Sequence, residues 1–372
     1  GFNIPGMERN GMIMQDSTTV WGAEKVARAK KLCADFLSAP SSKRFIFDRN
    51  VYTSAVAAQV EVAGIVDDFA QESESHGVPI IRSKELPEDA IVLAASGGRP
   101  LTIRALLAER GIASLDYFTL LQWSGLSLPE AVFNEGFQEL YNSNHEQIMW
   151  LDALMADDES RQTLRKLLAF RYSYDLDCLN GFTERQTMQY FEPFLNLRGE
   201  APVFVDVGGF DGFTAEEFIK RSPDYKAVYV FEPEAGNYEQ CREKLAPYRN
   251  IHLLPYGAGA ENETLRFSSA GSASSICENG ETEIQIRRID EVVNDVPTLI
   301  KMDIEGGELA ALEGARGSIE AHRPALAVCV YHRPSDFWTV PRTILSMSPD
   351  YLVYLRHYTE SIYETVMYFV PK

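Results

Sequence analysis

The stretch FVDVGGFDGFT at residues 204–214 decides the fold class of this 372-residue chain. An apolar run leads into a turn rich in glycine, and a helical pattern follows. Such a turn between a strand and a helix commonly surrounds a nucleotide phosphate. This one carries two carboxylates, Asp206 and Asp211, which would repel a phosphate. Its glycine spacing meets neither GxGxxG nor GxxxxGK[ST], so the sequence favours a positively charged ligand.

S-adenosylmethionine meets that requirement, because it carries an ammonium and a sulfonium and no phosphate. The glycines would let the backbone close on its methionine part, and the two acids would face its positive end, directly or through water. Thr214 is expected to cap the following helix. The loop residues predicted to bind this cofactor are Asp206, Gly208, Gly209, Phe210, Asp211, Gly212 and Thr214.

A second acidic position follows the next predicted strand, in AVYVFEP (227–233). Glu232 ends that strand, where a carboxylate can accept both hydroxyls of a bound ribose. The alternative is an acid that is simply exposed at a strand end. Pro233 and Gly257 complete the predicted cofactor site.

A third group of acids follows another buried strand, in LIKMDIEGGELAALEGA (299–315). Asp303 and Glu305 face the same way if the strand stays extended, at the strand end where such sheets bind ligands. Both are predicted as catalytic residues that position the substrate or adjust the pKa of a neighbouring base. Asp303 is also predicted to bind the cofactor. Lys301 would neutralise one of them, and helix-capping acids are the alternative. Without a histidine or third acid at fixed spacing, we expect no metal site.

Six motifs together resemble the FkbM family of methyltransferases, over roughly residues 150–371. The motifs are QYF (189–191), FVDVGGFDGFT, VFEP (230–233), IKMDIEGGELAALEGA, VYHRPSDFWTVP (330–341) and YLRHYTESIYETVMY (354–368). The resemblance implies S-adenosylmethionine-dependent O-methylation of a hydroxyl on a sugar, a polysaccharide or lipid precursor, or a secondary metabolite. The positions that match its cofactor motifs are Asp206, Gly208, Gly212, Glu232 and Asp303.

O-methylation of an alcohol requires removal of the hydroxyl proton, for which histidine is the usual base near neutral pH. Two of the six histidines follow predicted strands at the proposed active edge, His332 and His357. His332 is the first candidate for the base, and a structural or substrate-binding histidine is the alternative. Arg333 and Arg356, next to them, would hold an anionic substrate.

The chain divides into three predicted parts. Residues 1–125 alternate short strands and helices, which predicts a small Rossmann-like α/β domain with an N-terminal helix. Residues 126–200 are predicted as a helical connector, and 201–372 as the methyltransferase domain. Only a few residues separate the last two strands, too few for a crossover helix, so they form an antiparallel hairpin. A parallel sheet ending in such a hairpin is typical of Rossmann-like class I methyltransferases.

Two strand-to-helix turns of the first predicted domain differ in their glycine content. Its first strand-to-helix turn, DRNVYTS (48–54), has no glycine, which argues against a dinucleotide pyrophosphate there. A later turn, AASGGRPLT (94–102), resembles an anion cradle between a strand and a helix. The alternative is an ordinary turn in which Pro100 opens the helix.

The formal net charge of −19 excludes several partners. Nucleic acids and anionic membranes need clustered lysine and arginine, so neither is expected. The five cysteines are scattered and include no CxxC, which argues against a disulfide framework or a zinc site. No apolar stretch is long enough to span a bilayer, and no signal-peptide pattern is present, so a cytoplasmic protein is expected.

The expected partner is therefore a small-molecule or carbohydrate acceptor, and self-association through the first domain is left open. Two rival functions also remain open. One is a nicotinamide-dependent or sugar-nucleotide-modifying enzyme, against which the acidic loop argues. The other is a non-catalytic binding protein that keeps the methyltransferase fold.

Overall fold

The computed structural model describes residues 13–197, 201–268, 275–276 and 282–372. These residues form two compact units. The first unit contains the described residues up to 152, with 161–186 and 357–363, and the second contains 153–160, 187–356 and 364–372. The residues predicted as a helical connector are thus divided between the two units.

The first unit contains a six-stranded sheet. Its strands are β1 (Arg44–Phe47), β2 (Gly64–Val66), β3 (Glu74–Ser75), β4 (Val78–Ile81), β5 (Ile91–Ala94) and β6 (Ala113–Asp116). They lie in the order β3-β4-β2-β1-β5-β6, and every pair except β3–β4 is parallel. This is the small α/β arrangement predicted from the alternation of strands and helices.

Helices surround this sheet and continue to residue 173. They are α1 (Ser17–Trp21), α2 (Ala23–Ser38), α3 (Val51–Ala57), α4 (Pro100–Glu109), α5 (Tyr117–Trp123), α6 (Phe137–Asn142), α7 (His145–Leu154) and α8 (Asp158–Ser173). The glycine-free turn before α3 is closed by Asn50, whose side chain accepts hydrogen bonds from the amides of Tyr52 and Thr53. This turn therefore caps a helix, as Asn at such a position usually does.

The turn at residues 94–102, which precedes α4 and resembles an anion cradle, contacts a carboxylate of the same chain. Glu360 accepts hydrogen bonds from the backbone N–H of Thr102 (2.8 Å) and from its hydroxyl (2.7 Å). The first N–H groups of a helix have no partner within the helix, and its N-terminus favours negative charge. Glu360 meets both needs and is itself buried.

The second unit contains eleven strands in the described residues. They are β7 (Val203–Val207), β8 (Ala227–Phe231), β9 (Ile251–Leu254), β10 (Tyr256–Ala258), β11 (Glu263–Ser268), β12 (Ser275–Ile276), β13 (Thr282–Arg287), β14 (Leu299–Met302), β15 (Ala325–Cys329), β16 (Tyr351–His357) and β17 (Thr365–Pro371). The helices among them are α9 (Phe213–Arg221), α10 (Ala235–Leu245), α11 (Ile289–Val292), α12 (Glu308–Gly314), α13 (Arg316–His322) and α14 (Asp336–Met347).

Seven of these strands form one sheet, in the order β16-β17-β15-β14-β7-β8-β9. The five from β15 to β9 in that order are parallel, and β17 runs antiparallel to β15. The neighbours β16 and β17 are joined by residues 358–364, too short a link for a crossover, so they form a hairpin. This topology confirms the predicted Rossmann-like class I methyltransferase fold with its C-terminal hairpin.

The central strands β7, β8, β14 and β15 are buried at every residue, as expected for parallel strands covered on both faces. The remaining strands, β10 to β13, form a smaller four-stranded sheet. The carboxyl ends of β7, β8, β14 and β15 therefore meet at one edge of a rigid sheet, and this edge carries the predicted site residues.

None of the helices in the described part of the chain is long and apolar enough to cross a membrane. The longest of them, α2 and α8, have 16 residues each, whereas a span needs about 20 apolar ones.

We predict that Glu360→Ala destabilises the first unit by about 0.5–2 kcal/mol, the usual cost of removing a helix cap. Urea unfolding of the full chain measures the effect. Glu88→Ala, which removes an exposed carboxylate from the same unit, is the control and should change the unfolding midpoint little. Equal midpoints for the two variants would show that the carboxylate of Glu360 does not stabilise α4.

Candidate active site

The glycine loop between β7 and α9 lies against the ends of β8 and β14. Gly208 has φ of +90°, and a Cβ there would lie 2.1 Å from the carbonyl oxygen of Asp303. A Cβ on Gly209 would lie 2.2 Å from Cγ1 of Val230. Both distances are far below van der Waals contact, so only glycine fits. The loop is thus held tightly on the sheet, and Phe210 projects from it with 66% of its surface exposed.

A buried ion pair lies beneath this loop. Lys301 Nζ donates to Asp206 Oδ1 (2.9 Å) and to the carbonyl oxygen of Gly208 (2.6 Å). The two side chains come from directly paired residues of β14 and β7, and neither is more than 3% exposed. Burial alone would lower the pKa of Lys301, but the charges of Asp206 and Asp303 raise it above its usual range, so the ammonium is charged.

The expectation that Lys301 neutralises Asp303 or Glu305 is therefore wrong, because its ion-pair partner is Asp206. The second oxygen of that carboxylate, Asp206 Oδ2, is buried and has no hydrogen-bond partner among the described residues. A buried carboxylate oxygen without a partner is costly, so the fold retains this charge at the expense of stability.

Asp211 lies at the outer side of the loop. One of its oxygens accepts the N–H of Phe213 (2.9 Å), and the other pairs with Lys244 (2.7 Å). The N-cap of α9 is Gly212, without a side-chain cap bond. The prediction that Thr214 caps this helix is wrong, because the helix starts at Phe213 and already includes Thr214. The roles of Asp211 and Thr214 at a cofactor remain predictions.

Glu232 is at the end of β8, as predicted, and is 5% exposed. Its carboxylate accepts the N–H of Phe210 (2.8 Å) and that of Glu234 (2.9 Å), and burial raises its pKa. Each carboxylate oxygen can accept a second hydrogen bond. Glu232 therefore holds the glycine loop through the N–H of Phe210 and can still accept a hydrogen bond from a hydroxyl group. Pro233 lies beside Gly257, where a Cβ would be 3.9 Å from the proline Cγ.

His332 follows β15 and lies between two carboxylates. Its Nδ1 is 2.8 Å from Oε1 of Glu308, and its Nε2 is 3.5 Å from Oδ1 of Asp303. Glu308 is 1% exposed, whereas the Asp303 side chain is 25% exposed. Burial alone would lower the pKa of His332, but the hydrogen bond to Glu308 and the charges of Glu308, Asp303 and Glu305 raise it overall.

Four residues near Asp303 are part of the site although the sequence did not predict roles for them. The hydroxyl of Tyr190 donates to Asp303 (3.0 Å), and that of Tyr331 donates to Glu364 (3.2 Å) and Asp303 (3.4 Å). Glu308 is the fourth. The sequence contained two signals for them: the tyrosine of the QYF motif, Tyr190, and the third acid of DIEGGE, Glu308. Sequence spacing alone does not show that Tyr190 contacts Asp303 or that Glu308 contacts His332.

Glu305 differs from the prediction in its orientation. Strand β14 ends at Met302, and Glu305 has φ of +50°, so the extended backbone that would align it with Asp303 is absent. Its side chain is exposed, and its charge contributes to raising the pKa of His332. A catalytic role for Glu305 remains a prediction.

The structure does bring a histidine and a third acid to Asp303. Asp303, Glu308 and His332 each offer a ligand atom within 4.8 Å of the others. The two carboxylates, however, flank opposite nitrogens of the ring, and an imidazole offers a metal only one of them. The arrangement therefore favours a hydrogen-bonded histidine over a metal ligand.

His357, the second candidate base, belongs to the first unit. It is 3% exposed, its Nε2 is 2.7 Å from the carbonyl oxygen of Ser361, and burial lowers its pKa to about 3. These properties are those of a neutral structural histidine. Arg356 is also buried and pairs with Asp157 (2.7 Å), so it is not available to an anionic substrate, whereas Arg333 is exposed.

Comparison with known proteins identifies the domain that carries this site. Residues 206–362 match the family model of the methyltransferase FkbM domain. This part of the chain is therefore similar to an FkbM methyltransferase domain. The crystal structure of the methyltransferase FkbM from Methylobacillus flagellatus KT is similar to the chain, with 25% identity and a TM-score of 0.73. The alignment covers 98% of this chain and 94% of that one.

Other similarities are weaker. An rRNA methylase from Streptococcus thermophilus is 14% identical, over 48% of this chain and 92% of that one, with a TM-score of 0.33. Spermidine synthase from Thermotoga maritima is 13% identical, over 50% and 58%, with a TM-score of 0.31. No curated protein matches the chain. The FkbM resemblance is confirmed, and family and fold support an S-adenosylmethionine-dependent methyltransferase.

We predict that Lys301→Met lowers the free energy of unfolding by about 3–5 kcal/mol, because it leaves Asp206 buried without its counter-charge. Adding Asp206→Asn should recover most of the loss. Lys226→Met is the control, since it removes an exposed ion pair worth under about 1 kcal/mol. Denaturant unfolding of the wild type and the three variants measures these effects, and similar losses for Lys301→Met and Lys226→Met would contradict the prediction.

Proposed function

We propose that the chain transfers a methyl group from S-adenosylmethionine to a hydroxyl oxygen of a sugar, a polysaccharide or lipid precursor, or a secondary metabolite. The observation that carries the proposal is the setting of His332, with one ring nitrogen held by Glu308 and the other facing Asp303. An alcohol must lose its proton as it is methylated, so a positioned base favours an oxygen acceptor.

The residues around the glycine loop fit the cofactor. The buried charge of Asp206 would attract the positive end of the cofactor, and the remaining acceptor capacity of Glu232 suits ribose hydroxyls. Because Lys301 is paired with Asp206, its ammonium is not free to bind a phosphate at the loop. When bound, S-adenosylmethionine supplies an electrophilic methyl, which gains a bond to the acceptor oxygen as its bond to sulfur breaks.

His332 would take the acceptor's proton on Nε2. A carboxylate only accepts hydrogen bonds, so the short contact with Glu308 keeps a proton on Nδ1 and leaves the lone pair on Nε2. Asp303, 3.5 Å from Nε2, would stabilise the imidazolium that forms. It is also the more exposed of the two acids, so the acceptor would approach from its side.

Cofactor choice is tested by isothermal titration with S-adenosylhomocysteine, with NADH as comparator. We expect S-adenosylhomocysteine to bind and Glu232→Gln to weaken it at least about tenfold, since hydrogen bonds to a charged group contribute about 1.5–3 kcal/mol. Glu243→Gln, an exposed acid on α10, should bind like the wild type. Binding of NADH without S-adenosylhomocysteine would favour the nicotinamide-enzyme rival.

The base is tested by transfer of labelled methyl to a panel of hydroxylated acceptors. His332→Gln should lower the rate by about 10²–10⁴ and leave S-adenosylhomocysteine affinity unchanged, because the ring acts on the acceptor. His322→Gln, which changes an exposed histidine on α13, is the control. Wild-type rates in His332→Gln would remove the base assignment, while binding without transfer to any acceptor would favour a non-catalytic protein.

A further inference from the structure

We propose that Glu308 is a positioning residue for the methyl transfer: it holds the imidazole of His332 with Nδ1 protonated and Nε2 directed toward Asp303, ready to accept the acceptor's proton. This inference rests on the proposed function, because it gives Glu308 a task only if His332 acts as the base.

The position of Glu308 is set by its surroundings. It is the first residue of α12 and is 1% exposed. Its Oε1 lies 2.8 Å from Nδ1 of His332 and also accepts the backbone N–H of Ile304 (3.2 Å). Because the backbone N–H of Ile304 holds this oxygen independently of the ring and the side chain is enclosed in the core, we infer that the carboxylate orients the ring.

The second oxygen of Glu308, Oε2, is buried and has no hydrogen-bond partner among the described residues. Such a carboxylate is costly while its neighbour is neutral, and the cost falls when the neighbour becomes a cation. Protonation of His332 on Nε2 creates that cation next to Glu308. The Glu308–His332 pair therefore stabilises the protonated state of the ring. The ring reaches that state when it takes the proton of an acceptor hydroxyl.

The carboxylates around the ring act in the same direction. The titratable and charged groups that face or neighbour His332 are Asp303 and Glu305 after β14, Glu308 on α12, Tyr331 and Arg333 after β15, Asp336 on α14 and Glu364 before β17. Burial and the charge of Glu308 raise the pKa of Asp336 to about 7, so this group is partly neutral near that pH. Among these groups, Glu308 lies at hydrogen-bond distance from the ring, 2.8 Å from Nδ1.

The same geometry separates this task from metal binding. Glu308 lies at Nδ1 and Asp303 at Nε2, so a cation on either nitrogen would reach only the carboxylate on that side without a rearrangement. A ring that donates to a buried carboxylate at Nδ1 is instead the arrangement of a histidine base with its orienting acid.

The direct test is an NMR titration of the full-length protein with ¹⁵N-labelled histidine, since it does not depend on knowing the acceptor. His332→Gln identifies the signals of His332. We expect the wild-type ring to carry its neutral-state proton on Nδ1 and to titrate above the ordinary histidine range. In Glu308→Gln the ring should titrate at lower pH, because the charge that stabilises the imidazolium is gone. Glu313→Gln, on the same helix, is the matched control.

Kinetics give the second readout. Glu308→Gln should lower the maximal methyl-transfer rate at least about tenfold and move the acidic limb of the pH–rate profile to lower pH, with S-adenosylhomocysteine affinity unchanged. Glu308→Asp should recover part of the rate by restoring the charge. A residue with only a structural role would reduce the folded fraction and leave the limb in place.

Three outcomes would overturn the inference. They are a proton on Nε2 in the neutral wild-type ring, an unchanged His332 titration in folded Glu308→Gln, and selective broadening of the His332 signals by substoichiometric Mn²⁺ that EDTA reverses, which would indicate a metal site. Failure of the proposed function is distinct, since it would show as absent S-adenosylhomocysteine binding or as wild-type transfer by His332→Gln.

Discussion

The ion pair between Lys301 and Asp206 is the constraint on which the catalytic edge of the second unit depends. A buried charge is destabilising unless an opposite charge pairs with it. Here the paired charges belong to the adjacent strands β14 and β7. A shift of either strand by one residue would turn one charge away from the other. Because Lys301 also holds the carbonyl of Gly208, the same pair fixes where the glycine loop leaves the sheet.

The carboxyl edge of the seven-stranded sheet has two chemically different sides, one on each side of the Lys301–Asp206 pair. On the side of β8, close backbone packing and the amide contacts of Glu232 form a tight turn with little freedom. On the side of β15, carboxylates and tyrosine hydroxyls surround a single histidine, and Asp303 lies between the two sides. The carboxylates on this side favour the protonated form of the ring and raise the pKa of His332.

Much of this arrangement follows from the sequence, because parallel strands bring their carboxyl ends to one edge. That rule places Asp206, Glu232, Asp303 and His332 together without knowledge of any distance. It does not give the partner of Lys301, since β7 and β14 are neighbours in space but far apart along the chain. Nor does it give the turn at Glu305, the early start of α9 or the helix α14, which contains Pro341. Each of these depends on tertiary contacts that outweigh local preference.

The assignment of residues 357–363 to the first unit has a consequence for the order in which the protein folds. A chain is synthesised from its N-terminus, and domains generally fold as units during synthesis. Here, the hydrogen bonds from Arg171 to the carbonyl of Ile362 and from Thr102 to Glu360 cannot form until residues 360–362 have left the ribosome. The first unit therefore cannot complete its hydrogen bonds until residues 357–363, which follow most of the second unit along the chain, have been synthesised.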